Sequence, residues 1–475
     1  MVFSSPIFLF GFLPCFLAAY YLVPGRWRSW LILLASALFY AWWRADVLLI
    51  VLAMGLASYA AAHGALRLPT ERTRRWAVRL GVGFNLAVLG WFKYAMFVGG
   101  IVSDGTERAG LGALSVPDII LPIGLSFLTF QSISYIVDVA RGDAPPARRL
   151  SDFMAFTTLF PQLIAGPVLR YKDIAAQFDE RDHSVARVVA GLKRFIAGLA
   201  MKLLIADSVA PLADRLFALS HPTAAEAWLA ALAYSIQLFF DFAGYSAMAI
   251  GLGLMIGFRF VENFDAPYTA RSITEFWRRW HISLSRWLRD YLYVPLGGNR
   301  GGAPRTYRNL ILTMGLGGLW HGANWTFLLW GLWHGGLMAL ERALGAKHRP
   351  TVWPRALAWP LTMVLVMIGW VMFRAETVGH AFAVYGGMAG RNQWAMRPEM
   401  LTLTKPSELT FLMLGLVLCA APLMRRPPSR QRARLPLPSA RLRHVASGVG
   451  ATALLGLCAL VVQARTDAPF LYFQF

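Results

Sequence analysis

The sequence predicts an all-α polytopic membrane protein, a helical bundle with re-entrant and interfacial amphipathic helices. Of its 475 residues, 57% are hydrophobic and 15% are charged, whereas soluble domains average about 25% charged residues. Apolar runs recur along the whole chain, and a membrane-spanning helix needs about 20 mostly apolar residues. No hydrophilic stretch is long enough for a separate soluble domain. Residues 1–475 are therefore expected to form a single membrane-embedded domain.

About ten to thirteen membrane-embedded segments are expected from the apolar runs. The clearest are residues 7–23, 29–43, 46–64, 80–99, 118–138, 189–206, 227–257, 323–340, 356–373, 409–424 and 445–463. The N-terminal segment has no basic region and no small-residue cleavage pattern before the next span. It is therefore expected to be retained as the first span.

The net charge of +21 indicates membrane topology and not nucleic-acid binding, because the arginines cluster in short loops between predicted spans. Residues 66–79, 139–150 and 425–444 are rich in arginine and are expected to be cytoplasmic. The loop 99–117 carries Asp104 and Glu107 against a single Arg108 and is expected to be periplasmic. Both termini, including a tail at about 464–475, should then lie in the periplasm, after an even number of crossings.

Residues 151–178 contain an apolar run that is interrupted by Pro161, Gly166 and Pro167. Irregular backbone at membrane depth is tolerated where protein or a water-filled cavity satisfies its polar groups. The segment is therefore either a re-entrant or broken helix, or an ordinary kinked helix.

Residues 272–296 are too charged to cross lipid, yet they are rich in aromatic residues. Bulky apolar side chains recur there at spacings of three and four and so share one helical face, namely Trp277, Trp280, Leu284, Trp287 and Tyr291. This pattern predicts an interfacial amphipathic helix with its tryptophans at headgroup depth. The glycine-rich stretch 296–302 is expected to form a turn after that helix.

His321 is the first candidate catalytic residue, because ionisable groups inside membrane segments cost about 2.5–3.5 kcal/mol and are commonly functional. It lies with Asn324 in the run LTMGLGGLWHGANWTFLLW, where flanking glycines allow close approach of a backbone or a substrate. An imidazole that titrates near neutral pH suits general-base catalysis. The alternative is a buried histidine whose nitrogens are satisfied by the protein core.

Three further ionisable residues are candidates. His334 lies about 220° around a continuous helix from His321, so a structural role is favoured. His281 either enters a cavity from the predicted amphipathic helix or is merely interfacial. Asp241 lies deep in apolar sequence and is expected to pair with an arginine, a histidine or hydroxyl groups; structural pairing is favoured over direct chemistry.

No HExxH or GxSxG motif is present in the sequence, so a zinc site and a serine nucleophile lack support. The three cysteines, Cys15, Cys419 and Cys458, lie inside apolar runs without metal-ligand spacing. We expect no metal cofactor.

Several motifs resemble those of the membrane-bound O-acyltransferase (MBOAT) family, and the likeness extends over nearly the whole chain. Departures are concentrated at 99–117 and 390–445. The motifs are MVFSSPIFLF, LFYAWWRADVLL, FKYAMF, LPIGLSFLTFQSISYIVDV, LIAGPVLRYKD, FDFAGYSAMAIGLGLMIGFRFVENF, SITEFWRRWHISLSRWLRDYLY, GGLWHGANWTF and FLYFQF.

The resemblance implies that His321 corresponds to the catalytic histidine of the family. His281 then matches the second histidine typical of the bacterial branch. We count Asn324, Asp241 and Trp320 as supporting residues of the site.

The resemblance also implies a funnel or tunnel across the bacterial inner membrane. An acetyl group would pass from a cytoplasmic donor, acetyl-CoA or another activated acetyl donor, to a periplasmic acceptor. That acceptor would be an exported polysaccharide such as alginate, or a periplasmic partner protein that completes the transfer. Acylation of peptidoglycan or teichoic acid is the alternative in the same class. A non-catalytic transporter is the alternative from another class, although such folds commonly show paired repeats, which the sequence lacks.

Overall fold

Helices dominate the residues described by the computed structural model, which are 1–42, 44–163, 166–345, 352–424 and 440–464, and these ranges contain no β-strand. The all-α prediction is confirmed. Most of the predicted arginine-rich loop, at 425–439, and the tail from residue 465 onwards lie outside the described residues.

The first part of the chain forms five long or medium helices followed by three short ones. They are α1 (Ile7–Leu22), α2 (Arg28–Ala41), α3 (Ala45–Arg67), α4 (Glu71–Arg108), α5 (Leu125–Arg141), α6 (Leu150–Thr157), α7 (Phe160–Leu163) and α8 (Tyr171–Ile174). Two long helices, α9 (Val185–Phe217) and α10 (Ala224–Met255), form the centre of the bundle.

The second part begins with two short helices, α11 (Ile273–Arg279) and α12 (Ile282–Leu288), and continues as a series of apolar helices. These are α13 (Ala303–His321), α14 (Trp325–Ala343), α15 (Arg355–Arg374), α16 (Val378–Met388), α17 (Pro398–Leu403), α18 (Pro406–Met424) and α19 (Ala440–Ala464).

Seven helical stretches within the described residues are long and apolar enough to cross a membrane, which makes this a multi-pass membrane protein. They are α3, α4, α9, α10, α15, Pro406–Leu423 of α18 and Val445–Ala464 of α19. The expected ten to thirteen were membrane-embedded segments of any length, and several of them, such as α1, α2 and α5, are helices shorter than 18 residues. The boundaries also differ: segment 118–138 becomes helical only at Leu125, and segment 189–206 continues to Phe217.

Small residues allow the central helices to approach closely. A Cβ atom on Gly198 of α9 would lie 2.5 Å from the carbonyl oxygen of Gly244 on α10, and one on Gly251 would lie 2.6 Å from the carbonyl oxygen of Gly191. Membrane helices commonly associate through such small residues, because lipid supplies no hydrophobic driving force between them. These glycines therefore hold α9 and α10 together along their length.

The arginine-rich segments cluster at one face of the bundle, called here the basic face. Gly81 of α4 packs against Ala61 of α3 and Ile136 of α5. The turn at 67–71, which joins α3 to α4, and the end of α5 at residue 141 therefore lie on the same face. Arg148 forms an ion pair with Asp179, 3.4 Å away. Near the start of α9, Lys193 donates a hydrogen bond to Ser447 near the start of α19 (3.0 Å). The segments that flank 425–439 are therefore on this face as well.

Residues 151–178 form a broken segment that begins and ends at the basic face. Helices α6 and α7 are interrupted near Thr158, and residues 166–170, just before α8, have no regular secondary structure. Side chains satisfy the irregular backbone: the Phe160 N–H donates to Ser36 Oγ (3.1 Å), and the Val168 N–H donates to Ser283 Oγ (2.8 Å). After this stretch, Lys172 forms an ion pair with Asp138 of α5 (2.9 Å). The re-entrant alternative is thus favoured over one kinked helix.

The prediction of one amphipathic helix over 272–296 is wrong in its continuity. Helix α11 ends at Arg279, and α12 begins after His281, whose φ of +44° is left-handed. Most of the expected aromatic face packs against protein, since Trp277, Trp280 and Trp287 are buried. The predicted glycine-rich turn at 296–302 is confirmed, with four of its glycines at positive φ.

Candidate active site

The hairpin formed by α13 and α14 breaks directly after His321. Gly318 lies at the closest approach, where an added Cβ would lie 2.1 Å from the carbonyl oxygen of Phe327. Asn324 is the N-cap of α14: its Oδ1 accepts from the Thr326 N–H (3.1 Å), and its Nδ2 donates to the Glu376 carbonyl (3.0 Å). The expected close backbone approach is confirmed, but the apolar run is two helices and not one.

His321 lies at the C-terminus of α13, where an aromatic wall surrounds its ring. The residue is 6% exposed. Its ring centroid lies 5.0 Å from Trp320, 5.1 Å from Trp330 and 5.3 Å from Phe373, each ring meeting it edge to face. The wall restricts the access of bulk water to the imidazole.

His281 is the second imidazole of the site, with its ring centroid 6.4 Å from that of His321. It is fully buried, and Phe242 of α10 packs edge to face against its ring at 4.7 Å. The left-handed backbone at the α11–α12 break places it there. Since ring nitrogens lie about one bond length from the centroid, this separation exceeds a direct hydrogen bond.

Asn263 fixes the tautomer of His281. Its Oδ1 meets His281 Nδ1 at 3.1 Å and also accepts from the Ser283 N–H (3.3 Å) and Ser283 Oγ (2.8 Å). A backbone N–H can only donate, so this Asn263 atom is an acceptor, and a neutral His281 carries its proton on Nδ1. The Nε2 of His281 has no hydrogen-bond partner among the described residues. It is therefore available as a proton acceptor.

Lys93 and Tyr94 of α4 bind the C-terminal carbonyls of α13. Lys93 Nζ donates to the Trp320 carbonyl and to the His321 carbonyl (3.1 Å), and Tyr94 Oη donates to the Leu319 carbonyl (2.9 Å). A cation at a helix C-terminus is stabilised by the exposed carbonyls and the helix dipole. We did not single out Lys93 from the sequence, although a lone lysine within the predicted span 80–99 was the available signal.

Trp320 forms one side of the site through stacking on α5. Its ring lies 5.1 Å from Phe130 at an interplanar angle of 15°, and Phe127 meets it edge to face at 5.5 Å. The Lys93 ammonium lies 5.9 Å from the same indole centroid. Helices α4, α5 and α13 thus hold Trp320 rigidly beside His321.

Asp241 pairs with Lys202 of α9 at 3.0 Å, and Lys202 also pairs with Asp207 at 2.6 Å. Lysine was not among the partners expected from the sequence, which were arginine, histidine or hydroxyl groups. Lys202 lies in a π-helical turn of α9 over Met201–Ala206. Phe242, the residue after Asp241, packs against His281 and so connects this buried cluster to the site.

His334 lies on α14, the other arm of the hairpin. The predicted separation from His321 around one continuous helix therefore does not apply. Trp330 separates the two imidazoles, with centroid distances of 5.1 Å to His321 and 5.2 Å to His334. Trp277 closes the other side of His334 at 5.3 Å. The packing supports the structural role favoured from the sequence.

A cavity of about 570 Å³ opens at the end of α15, on the face opposite to the basic face. Arg374, Thr377 and His380 contribute to its lining. Arg374 directly follows Phe373, whose ring contacts His321. Within the described residues, no group of three or more His, Cys, Asp or Glu side chains is arranged to hold a metal ion.

Residues 147–376 match the model of the MBOAT, membrane-bound O-acyltransferase family, and this range contains both His281 and His321. The chain is 48% identical to the probable alginate O-acetylase AlgI of Azotobacter vinelandii over the full length of both proteins. It is 53% identical to the protein of the same description in Pseudomonas aeruginosa, over 88% of this chain and 80% of that protein. The peptidoglycan O-acetyltransferase of Helicobacter pylori is 36% identical over 82% of this chain and 80% of its own length. The chain therefore belongs to the membrane-bound O-acyltransferase family.

Proposed function

We propose that this O-acyltransferase passes acetyl groups across the inner membrane for the O-acetylation of alginate. The observation that carries the proposal is the placement of His321 at the end of α13, beside His281, in a chain about half identical to alginate O-acetylases. The 36% identity to a peptidoglycan O-acetyltransferase makes peptidoglycan the second candidate acceptor. A non-catalytic transporter is disfavoured, because the chain belongs to a family of acyltransferases.

His321 is proposed as the general base. It withdraws the proton of an acceptor hydroxyl while that oxygen attacks the acetyl carbonyl carbon of the donor. The bond between the acetyl carbon and its leaving group then breaks, and the imidazolium returns the proton to the leaving group. Positioned proton transfer of this kind contributes about 10²–10⁴-fold to the rate of a reaction.

His281 is proposed to orient the hydroxyl or to relay its proton. Its Nε2 is the acceptor end of a ring that Asn263 holds by Nδ1. The separation of 6.4 Å between the imidazole centroids leaves room for an oxygen atom between the rings. Trp320, together with the other aromatic residues around His321, excludes water that would compete with the acceptor hydroxyl.

The sidedness is also a proposal: the basic face is cytoplasmic, and both termini are periplasmic. Clustering of the arginine-rich segments at one end of the bundle supports it through the positive-inside rule. An activated acetyl donor such as acetyl-CoA would then approach from the basic face. The acceptor would approach from the opposite face, where the cavity beside Phe373 and Arg374 opens.

A periplasmic partner protein that accepts the acetyl group and passes it to the polysaccharide fits this sidedness, because the polymer itself need not then reach His321. We also propose that residues 1–475 act as a single membrane-embedded domain. Support comes from the main hydrophobic core, which includes residues from Phe3 to Val462.

The test is acetyl-ester analysis in a deletion strain that carries plasmid copies of the gene. The wild-type copy should restore acetyl esters on alginate, whereas His321→Ala should abolish them while the protein accumulates in the membrane. The matched control is His63→Ala on α3, which should restore normal acetylation. Normal alginate acetylation by the His321→Ala protein would contradict the catalytic role.

The same strain separates the two acceptors. Acetyl esters on isolated alginate and on isolated peptidoglycan should be measured in parallel. Loss confined to alginate supports the main proposal. Loss confined to peptidoglycan would replace alginate with the second candidate.

A further inference from the structure

A second polar cluster lies at the basic face, on elements that carry neither His321 nor His281. Arg28 begins α2, and Arg181 and His183 lie in the loop before α9. Arg28 Nη1 lies 3.1 Å from His183 Nε2. Arg181 donates to Tyr20 Oη (3.2 Å) and to Ser29 Oγ (2.9 Å). The Arg181 guanidinium and the His183 imidazole thus meet at the Tyr20 hydroxyl, and Arg28 contacts the same imidazole.

Among the described residues, no carboxylate forms an ion pair with Arg28, Arg181 or His183. The adjacent carboxylate, Asp182, pairs instead with Arg187 at 3.0 Å and accepts from the Ser184 N–H at 2.9 Å. The Nε atoms of Arg28 and Arg181 are buried without a hydrogen-bond partner. A buried charged donor without an acceptor is costly, so the cluster as described is incomplete.

Aromatic rings compensate only part of this charge. The Arg28 guanidinium lies 5.1 Å from the centroid of Tyr20, and that of Arg181 lies 4.7 Å from the centroid of Phe258. Burial, followed by the charges of the two arginines, lowers the pKa of His183 below its usual value. The charges of the two arginines outweigh that of the neighbouring Asp182 in this effect, so the imidazole lies in a positive local field that an anion would relieve.

The surroundings of the cluster are those of a membrane–water interface. Leu22 is 84% exposed, and Trp27 and Trp30 on either side of Arg28 are 52% and 47% exposed. Exposed tryptophans at the end of an apolar helix are typical of headgroup depth. The cluster is thus placed where lipid phosphates lie.

We propose that Arg28, Arg181 and His183 form a binding site for a phosphate group, supplied by an anionic phospholipid of the leaflet at the basic face. Guanidinium groups bind phosphate through charge-assisted, often bidentate hydrogen bonds. The exposed Leu22, Trp27 and Trp30 lie alongside the acyl chains of that lipid. The phosphate of a soluble molecule such as coenzyme A shares this chemistry and is the other source to be tested.

The experiment uses the full-length protein, purified in detergent and stripped of lipid. Native mass spectrometry would measure binding of phosphatidylglycerol, of phosphatidylcholine as the zwitterionic reference, and competition by inorganic phosphate and by coenzyme A. The test variant is Arg28→Gln/Arg181→Gln. The matched control is Arg26→Gln, an exposed arginine two residues from Arg28.

Wild-type protein and Arg26→Gln should bind phosphatidylglycerol more tightly than phosphatidylcholine. The double variant should lose about tenfold or more of its affinity for phosphatidylglycerol, because charge-assisted hydrogen bonds from two arginines are removed. Unchanged affinity in the double variant would overturn the site. Displacement of phosphatidylglycerol by coenzyme A or by inorganic phosphate would overturn the lipid as its source.

The wild-type protein supplies a measurement that does not depend on the variant folding. Phosphatidylglycerol should raise its thermal unfolding temperature more than phosphatidylcholine does at the same concentration. Equal stabilisation by the two lipids would overturn the proposal even if the double variant fails to accumulate.

Discussion

His321 and His334 lie on the two arms of one helical hairpin, and both are buried, yet their surroundings differ. His334 lies in the body of α14, where Trp277, Trp330 and Trp370 surround its ring. His321 lies where the backbone leaves the helix, beside a second imidazole whose orientation is fixed by hydrogen bonds. Burial in apolar sequence is common to both histidines. The helix break and the oriented neighbour belong to His321 alone of the pair.

The largest expected effect comes from testing this pair directly. His321→Gln should lower the initial rate of acetyl transfer by about 100-fold or more, because general-base catalysis is lost. His334→Gln should stay within a few-fold of wild type, since glutamine retains polar atoms in the same aromatic enclosure. Rates would be measured in membrane vesicles at matched protein amounts. Equal losses in the two variants would mean that the hairpin's packing, and not the chemistry of His321, explains the effect.

The buried cluster at Asp241 differs from both histidines, because it is charged and its charges are paired within the protein. Lys202 pairs with both Asp207 and Asp241. Lys202→Met should destabilise the protein by about 3–5 kcal/mol, since the buried Asp241 and the largely buried Asp207 lose their cation. Asp241→Asn should cost less, because Lys202 keeps Asp207. Unfolding midpoints in detergent would measure both, and a greater cost for Asp241→Asn would contradict the pairing scheme.

The sequence was sufficient to predict the membrane fold and to single out His321 and His281 as ionisable groups in or beside apolar runs. The resemblance to the family then ranked His321 first. The sequence was not sufficient for the helix breaks on either side of the site. The break after His321 follows from Asn324 acting as an N-cap and from the close packing at Gly318, both of which depend on the arrangement of the hairpin. The break at His281 depends on Asn263, which lies 18 residues earlier in the chain, outside the predicted helix, and has no local signature.

Partners across helices were also beyond prediction. Lys93 lies more than 200 residues from the carbonyls that it binds on α13, and nothing in its own segment indicates that end of the hairpin. Lys202 was visible as a charge inside a predicted span, but its pairing with Asp241 requires the packing of α9 on α10. Local chemistry could be predicted from the sequence, whereas the geometry that turns it into a site could not.

Asn263 provides a test of the oriented neighbour. Asn263→Leu removes the acceptor for His281 Nδ1, so the imidazole can adopt the other tautomer. The turnover rate is expected to fall about tenfold, a smaller loss than for the general base itself. Asn263→Asp retains an acceptor oxygen and should recover part of that loss. If the two variants show the same rate, the orientation of His281 does not matter to the reaction.

Asn324 gives the smallest expected effect and tests whether the position of the helix break matters. Asn324→Ala removes the cap of α14 and should destabilise the protein by about 1 kcal/mol, because the Thr326 N–H loses its acceptor. Asn324→Asp keeps that acceptor and should restore most of the stability, although the bond from Nδ2 to the Glu376 carbonyl is lost. Unfolding midpoints in detergent and acetylation rates would be compared for both variants. If the uncapped variant loses stability while its rate stays at the wild-type value, the break is a packing feature. If the rate falls together with the stability and Asn324→Asp recovers both, the capped break positions His321 for catalysis. No substitution around His334 should reproduce this loss of rate and its recovery.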